Sequence, residues 1–336
     1  MVFRRFLILA LFFSSNVLCA DLTNKASNIA EILADIKEEQ GYPGISLAIS
    51  LKGDIYTDQI GYADTAKKKS VNDATIFRAY SLTKGLTEIL ARILEENGKL
   101  NLNAPIKEYL PSLPSHMLNI TSQQLLSHRG GIRHYRSNEE WLQLSQNHCT
   151  SPEDAFSPFI NDPLISEIGK EENYSSFGYV LLSGVIEAAS EENFKSLMYK
   201  YVLRPSGTER TGFDDPKINL TQYFTKFYEP SNGQYVEAPS IDNSCKFGSG
   251  AINSTPADIA KVFNAYFSGK LTKGGSLQAT STLQNRMALS GEGLGGRSTI
   301  VAYPKDNLIV VIFANARGGN LQPYAVEIAE LILSNG

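Results

Sequence analysis

Ser81-Leu82-Thr83-Lys84 places a hydroxyl and an amine three residues apart, and Ser-x-x-Lys occurs nowhere else in the chain. On a helix, positions i and i+3 share a face, so the Lys84 amine can reach the Ser81 oxygen. A serine hydroxyl is a weak nucleophile until a neighbouring base takes its proton, and a lysine kept neutral can serve as that base. The stretch Thr75–Tyr80 leads into this pair, and Leu82–Glu96 is patterned as a strong helix ending at Asn97-Gly98. Ser81 is therefore expected at a helix N-terminus. Free N–H groups and the helix dipole favour negative charge there, which is where a developing oxyanion gains stabilisation.

Other stretches offer partners. Tyr174-Ser175-Ser176 is a polar run just before the apolar helical pattern Phe177–Ala189. A tyrosine there can relay a proton if a cation such as Lys84 lowers its pKa, although the chain has 16 tyrosines and most must be structural. Leu289 to Ser298 contains Gly291, Gly293, Gly295 and Gly296. Such glycines let backbone approach a substrate closely, and a strand edge there could pair with an extended one; a plain glycine-rich hairpin is the simpler reading. A Ser-His-Asp arrangement has little support, because no G-x-S-x-G elbow is present. Of four histidines, His128 and His134 flank Gly130-Gly131 and could line a cleft. Glu139-Glu140 and Glu171-Glu172 read as solvated faces, and Lys273-Gly274-Gly275 as a surface loop.

The elements that must hold these residues are partly legible. Ile29, Ile32, Leu33 and Ile36 recur at helical spacing until Pro43-Gly44. Ile45–Leu51 and Ile55–Tyr62 read as strands around a Lys52-Gly53-Asp54 turn. Residues 99–240 carry short helices and loops. Gly248–Ala251 reads as a tight loop, and Thr255-Pro256 opens a helix running to Phe267. Ser298–Tyr303 and Leu308–Phe313 read as two more strands, followed by a closing amphipathic helix from Gln322 to Leu333. Strands at both ends with helical matter between predict an α/β (α+β) fold: an antiparallel sheet built from both termini (about 23–80 and 245–336) with an inserted, mostly helical region (about 85–240).

Composition sets the outer limits. The 336 residues begin with Met1-Val2-Phe3-Arg4-Arg5, an apolar run from Phe6 to Phe13 and a small-residue exit near Cys19-Ala20. That pattern predicts a secretory signal peptide over 1–20 and a periplasmic mature protein, with lipid anchoring at Cys19 as the weaker alternative. No later segment is long and apolar enough to span a membrane. The net charge of −4 and pI near 5.7 argue against nucleic acid as a partner. Cys149 and Cys245 could pair in an oxidising compartment or remain two buried thiols. No C-x-x-C or paired Cys/His spacing points to a metal, and no cofactor is expected.

Beyond these readings, the chain resembles the serine β-lactamase and D-alanyl-D-alanine carboxypeptidase group, and is most similar to class C β-lactamases and their esterase and peptidase relatives. Pro43-Gly44-Ile45 through Gly61-Tyr62-Ala63-Asp64 is similar to the family's opening hairpin, and Phe77–Lys84 to its nucleophile segment. Leu125–Ile132 is similar to its L-L-x-H-x-S-G-L loop, and Tyr174–Leu182 to its Y-x-N segment and following helix. Leu203–Thr208 with Thr211-Gly212-Phe213, and Gly248–Gly250 with Ser254–Asp258, complete the ordered blocks. The resemblance implies a β-lactamase/transpeptidase-like fold with Ser81 as acylated nucleophile and Lys84 as general base or its partner. It implies that Tyr174 shuttles a proton to the leaving group or activates the deacylating water. It also implies an oxyanion hole made by the Ser81 N–H and one from the strand near Glu292.

Two positions depart from the family. Ser176 stands where Asn is usual, and serine is shorter and offers less to a substrate amide. Aligning Ser290-Gly291 with the family's third motif puts Leu289 at its cationic position, leaving Arg297 as a candidate source of charge. Ser176, Ser290, Gly291, Glu292 and Arg297 are thus the expected substrate contacts. Together these features lead to a cell-envelope serine hydrolase acting on a peptidoglycan-type peptide, amide or small ester, with efficient β-lactam hydrolysis disfavoured by Leu289. The alternative is a non-catalytic cell-wall binding or regulatory protein on the same fold. The oligomeric state is left open.

Overall fold

The computed structural model describes residues 22, 24–215, 221–273, 277, 281–283 and 286–334. The expected leader with Cys19, and Gly274-Gly275 of the expected surface loop, lie outside the described residues. Helix α1 (Ala26–Gln40) precedes strands β1 (Gly44–Leu51), β2 (Asp54–Asp64) and β3 (Lys69–Ser70), and then helix α2 (Leu82–Glu96). Helices α3 (Ser176–Ser190) and α4 (Pro256–Phe267) follow. The chain closes with β4 (Ser281–Leu283), β5 (Arg286–Gly293), β6 (Gly296–Tyr303), β7 (Leu308–Ala314) and α5 (Gln322–Leu333).

The described strands form a seven-stranded antiparallel sheet in the order β3-β2-β1-β7-β6-β5-β4. Sequence-distant ends therefore meet at its centre, where Ile49 of β1 lies opposite Val310 of β7. The central strands β1 and β7 are buried along their whole length because both faces are covered, and they are predominantly apolar. Side chains alternate between faces. Ile45, Leu47 and Ile49 pack with Ile29, Leu33 and Ile36 of α1 and Ala325 and Ile328 of α5. On the opposite face, Ala48, Val311 and Phe313 join a core with Phe263 of α4 and Leu86 and Leu90 of α2.

Helix α2 is buried on nearly every side, including Lys84 and Glu88, so it is the central post of the molecule rather than an amphipathic surface helix. Gly85 lets it approach the sheet. A Cβ there would lie 2.8 Å from the Phe263 ring and 3.3 Å from the Leu289 side chain. Cys149 and Cys245 form a disulfide across a sequence separation of 96 residues. Closing a loop of that length restrains the unfolded chain by roughly 4–5 kcal/mol in the chain-entropy account. The bond ties the loop after a short helix, Asn138–Leu144, to a 3-10 turn, Ser244–Ser249.

Several elements were not evident from the sequence. These are the Asn138–Leu144 helix capped by Ser137, the Tyr228–Ser231/Gln234–Glu237 hairpin, and the full extent of β5. The last matters for function. β4 pairs only with Arg286–Ala288, so beyond it the outer edge of β5 from Leu289 to Gly293 has no strand beside it among the described residues.

Candidate active site

Ser81 is the residue immediately before α2, with backbone angles (φ −67°, ψ −8°) already close to helical. The turn that brings it there is strained, because Tyr80 adopts a left-handed conformation (φ 47°), which costs a bulky residue about 1–3 kcal/mol. Its surroundings enforce it. The Tyr80 ring is buried against the β5–β6 hairpin, where a Cβ on Gly293 or Gly296 would come within 2.3 or 2.9 Å of the ring. The Tyr80 hydroxyl donates to Leu294 O at 2.6 Å. Two of the glycines expected to admit substrate therefore make room for Tyr80. Gly291 is the one beside Ser81: a Cβ there would lie 2.7 Å from Ser81 N and 2.7 Å from Ala79 O.

The one-turn spacing of Ser81 and Lys84 has the geometric result expected of it. Lys84 Nζ donates to Ser81 Oγ at 3.2 Å, to Ser176 Oγ at 3.2 Å and to Ser249 O at 2.8 Å. Tyr174 Oη lies 2.8 Å from Ser81 Oγ. Lys84 Nζ sits 4.9 Å from the Tyr174 ring centroid. Burial raises the Tyr174 phenol, but the Lys84 charge and hydrogen bonds with Lys84, Ser81 and Ser176 outweigh it and leave the phenol below its ordinary value. This arrangement can exchange a proton between a hydroxyl, an amine and a phenol without large movement.

Tyr174 is positioned by two histidines. The Ser175 N–H donates to His128 Nδ1 and the Ser176 N–H to His134 Nδ1, both at 3.2 Å. The two rings stand 4.6 and 5.2 Å from that of Tyr174. His128 is itself left-handed (φ 57°). Burial, then the charges of Lys84 and His134, hold His128 at about 3. Burial, then Lys84 and Lys246, hold His134 at about 4. Both are thus neutral acceptors in the folded chain, whereas unfolded they titrate near 6.5. Below pH 6.5 the unfolded state binds more protons, so stability falls on acidification through this range. The buried His128 alone withdraws on the order of 3 kcal/mol between pH 6.5 and 4. Chemical unfolding at those two pH values should show a smaller loss for His128→Asn than for wild type; an equal loss would contradict this account.

These groups line an open cavity of about 740 Å³, whose wall includes Ser81, His134, Tyr174, Ser176, Ser290 and Glu292. Ser290 Oγ is 3.0 Å from Thr299 Oγ1 on the neighbouring strand. Arg297 differs from its expected place. It lies opposite Glu292 across the β5–β6 hairpin and forms an ion pair with it, and it is not among the residues of the cavity wall. A charge directly across the ladder is close enough to claim it. Leu289 points the other way, into the core beside Gly85 of α2. His116 and His148 do not line this cavity, and His148 pairs with Asp242 at 2.7 Å.

Trp141, Tyr135, Lys246 and Ser249 also face the cavity. Ser249 falls in the Gly248–Gly250 block, but no local motif marked Tyr135, Trp141 or Lys246. Tyr135 and Trp141 come from before and within the Asn138–Leu144 helix and Lys246 from the Ser244–Ser249 turn, segments joined by the Cys149–Cys245 bond. Behind them, Arg78 and Asp214 form a buried ion pair at 3.3 Å. Asp214 also accepts from Asn243 N at 3.0 Å and Asn253 Nδ2 at 3.1 Å. This fixes the segment leading to Ser81 against the loop that carries Lys246.

The seven-stranded sheet and its central helix define a β-lactamase/transpeptidase-like fold. The chain belongs to the Beta-lactamase family, whose model matches residues 29–332. It is similar to the serine beta-lactamase-like protein LACTB, mitochondrial, of Homo sapiens, with 26% identity over 308 residues, covering 71% of this chain and 56% of that protein. It is also similar to the teichoic acid D-alanine hydrolase of Staphylococcus aureus (strain MRSA252), with 27% identity over 280 residues, 77% of this chain and 67% of that one. The chain thus spans little more than half the length of its LACTB relative. Among solved structures, the octameric penicillin-binding protein homologue from Pyrococcus abyssi superposes with a TM-score of 0.80 at 21% identity, over 92% of this chain and 77% of that one. Among the described residues no helix is long and apolar enough to cross a membrane.

Proposed function

We propose that this chain is a cell-envelope serine hydrolase working through a Ser81 acyl-enzyme on a small ester, an amide or a peptidoglycan-type peptide. The observation that carries the reading is the contact of Ser81 Oγ with both Tyr174 Oη at 2.8 Å and Lys84 Nζ at 3.2 Å inside an open cavity. Ser81 Oγ attacks the substrate carbonyl while its proton passes to the Lys84–Tyr174 pair. The oxyanion is held by the Ser81 N–H and by that of Glu292 on β5. Tyr174 returns the proton to the leaving group, and water, activated by the same pair, releases the acyl group. Ser176 and Ser290 contact the substrate beside the scissile bond.

Supporting this class, relatives include proteins named for D-alanine hydrolysis of teichoic acid and for D-amino acid amidase activity. The Cys149–Cys245 disulfide supports an oxidising compartment outside the cytosol, in keeping with the leader pattern of residues 1–20. The burial of Leu289 argues against substrates that need a cation at the third motif's first position. The test is turnover of a panel of 4-nitrophenyl esters, D-amino acid amides and D-alanyl-D-alanine peptides. Wild type is expected to turn over at least one class and Ser81→Ala none. Equal turnover by both would overturn the assignment of Ser81, and no turnover with retained binding of cell-wall fragments would favour a binding protein on this fold.

A further inference from the structure

Lys246 stands in the wall of the Ser81 cavity with no ion-pair partner among the described residues, Asp214 acting on it only from beyond ion-pair distance. Its backbone is fixed by the neighbouring Cys245–Cys149 bond and by Ser249 Oγ, which donates to Lys246 O at 2.7 Å. Its Nζ lies 4.0 Å from the Trp141 ring centroid and 5.9 Å from those of Tyr80 and Tyr135. No described carboxylate comes within ion-pair distance of it, and its Nζ makes no hydrogen bond to a described residue. The other candidate cations are committed. Arg297 is paired with Glu292, Arg317 with Glu229 at 3.1 Å, and Arg78 with Asp214. Lys84 is held by three oxygen acceptors.

We infer that Lys246, caged by Trp141, Tyr80 and Tyr135, is a specificity-determining residue that takes a carboxylate on the substrate, the role Leu289 cannot fill. The proposal rests on the Ser81 reading above. The physical reason is balance of charge. Aromatic faces stabilise an ammonium only in part, and a partly buried charge lacking an opposite charge gains from one. Burial first, then the charges of Lys84 and Arg78, push the Lys246 ammonium well below the ordinary lysine value, with Asp214 pulling the other way; an incoming carboxylate favours the ammonium form and offsets these effects. With Lys246 the one cation of the cavity wall without an ion-pair or hydrogen-bond partner among the described residues, the site suits a monoanion rather than a phosphate dianion.

Two measurements test this. The first compares 4-nitrophenyl hydrogen glutarate with 4-nitrophenyl pentanoate, which match in acyl length and differ in the terminal carboxylate. Wild type should favour the anionic ester in kcat/KM. Lys246→Met should lower the anionic-to-neutral ratio by about tenfold or more, the factor corresponding to about 1.4 kcal/mol, and Lys246→Arg should keep most of it. The second uses Trp141, the one tryptophan in the chain, as a reporter. In Ser81→Ala, glutarate should change its emission saturably, and the change should vanish in Ser81→Ala/Lys246→Met but persist in Ser81→Ala/Lys246→Arg. An unaltered ratio in Lys246→Met, or glutarate without effect on Trp141, overturns the assignment. If no ester acylates wild type while glutarate still binds through Lys246, the Ser81 reading fails and the Lys246 site stands.

Discussion

Lys84→Met is expected to slow acylation of Ser81 by about 10³-fold, within the range for loss of a positioned proton-transfer group. Methionine nearly matches lysine in length and volume, so the packing inside α2 changes little. What disappears is chemical. The donor to Ser81 Oγ at 3.2 Å and to Ser176 Oγ at 3.2 Å goes, as does the charge that holds the Tyr174 phenol down. Ser249 O, which Lys84 meets at 2.8 Å, also loses a donor; a buried acceptor so stranded costs about 1–3 kcal/mol. The measurement is kcat/KM for an ester substrate, with thermal melting alongside to separate the rate loss from unfolding. A folded Lys84→Met protein within tenfold of wild type would remove Lys84 from the proton path.

Gly291→Ala should lower kcat by about 10²-fold, comparable to losing one oxyanion donor. The added methyl would lie 2.6 Å from Ser298 Oγ, 2.7 Å from Ala79 O and 2.7 Å from Ser81 N. Two of those three atoms are backbone, so the strand itself must move, and with it the Glu292 N–H proposed to face the oxyanion. Overpacking of this kind also destabilises, by about 1–3 kcal/mol. Pre-steady-state acylation rates at a temperature well below the variant's Tm would isolate the catalytic part. Unchanged acylation in Gly291→Ala would show that the edge of β5 does not shape the site.

The parts legible in the sequence are those where one physical signal dominates. The Leu82–Glu96 and Gln322–Leu333 helices have the bounds their apolar patterns suggest. The pairing of β1 with β7 follows from two apolar runs that only burial on both faces explains. β5 was obscured because Ser290-Gly291-Glu292-Gly293 breaks the β-branched pattern, and the four glycines between Leu289 and Ser298 read as room for a substrate. Three of them serve close packing instead: Gly293 and Gly296 against Tyr80, and Gly291 against Ser81. Arg297 looked available because a sequence does not show what stands across a ladder; Glu292 does. Lys246 and Trp141 carry no motif, since their meeting depends on a disulfide that brings a short helix to a distant 3-10 turn. His134 lines the cavity as its place beside Gly130-Gly131 suggested, whereas His128 is not among the wall residues; the work of both as neutral acceptors behind Tyr174 needed the backbone N–H groups of Ser175 and Ser176 in place.

The central claim is that Ser81 forms a covalent acyl-enzyme. Intact-mass spectrometry of the purified protein after brief exposure to activated esters, D-amino acid peptides and β-lactams, followed by peptide mapping, tests it most directly. The account predicts a mass increase equal to one acyl group on the peptide containing Ser81, present in wild type and absent in Ser81→Ala. An adduct of the same yield in Ser81→Ala, or one mapped to another residue, would contradict it.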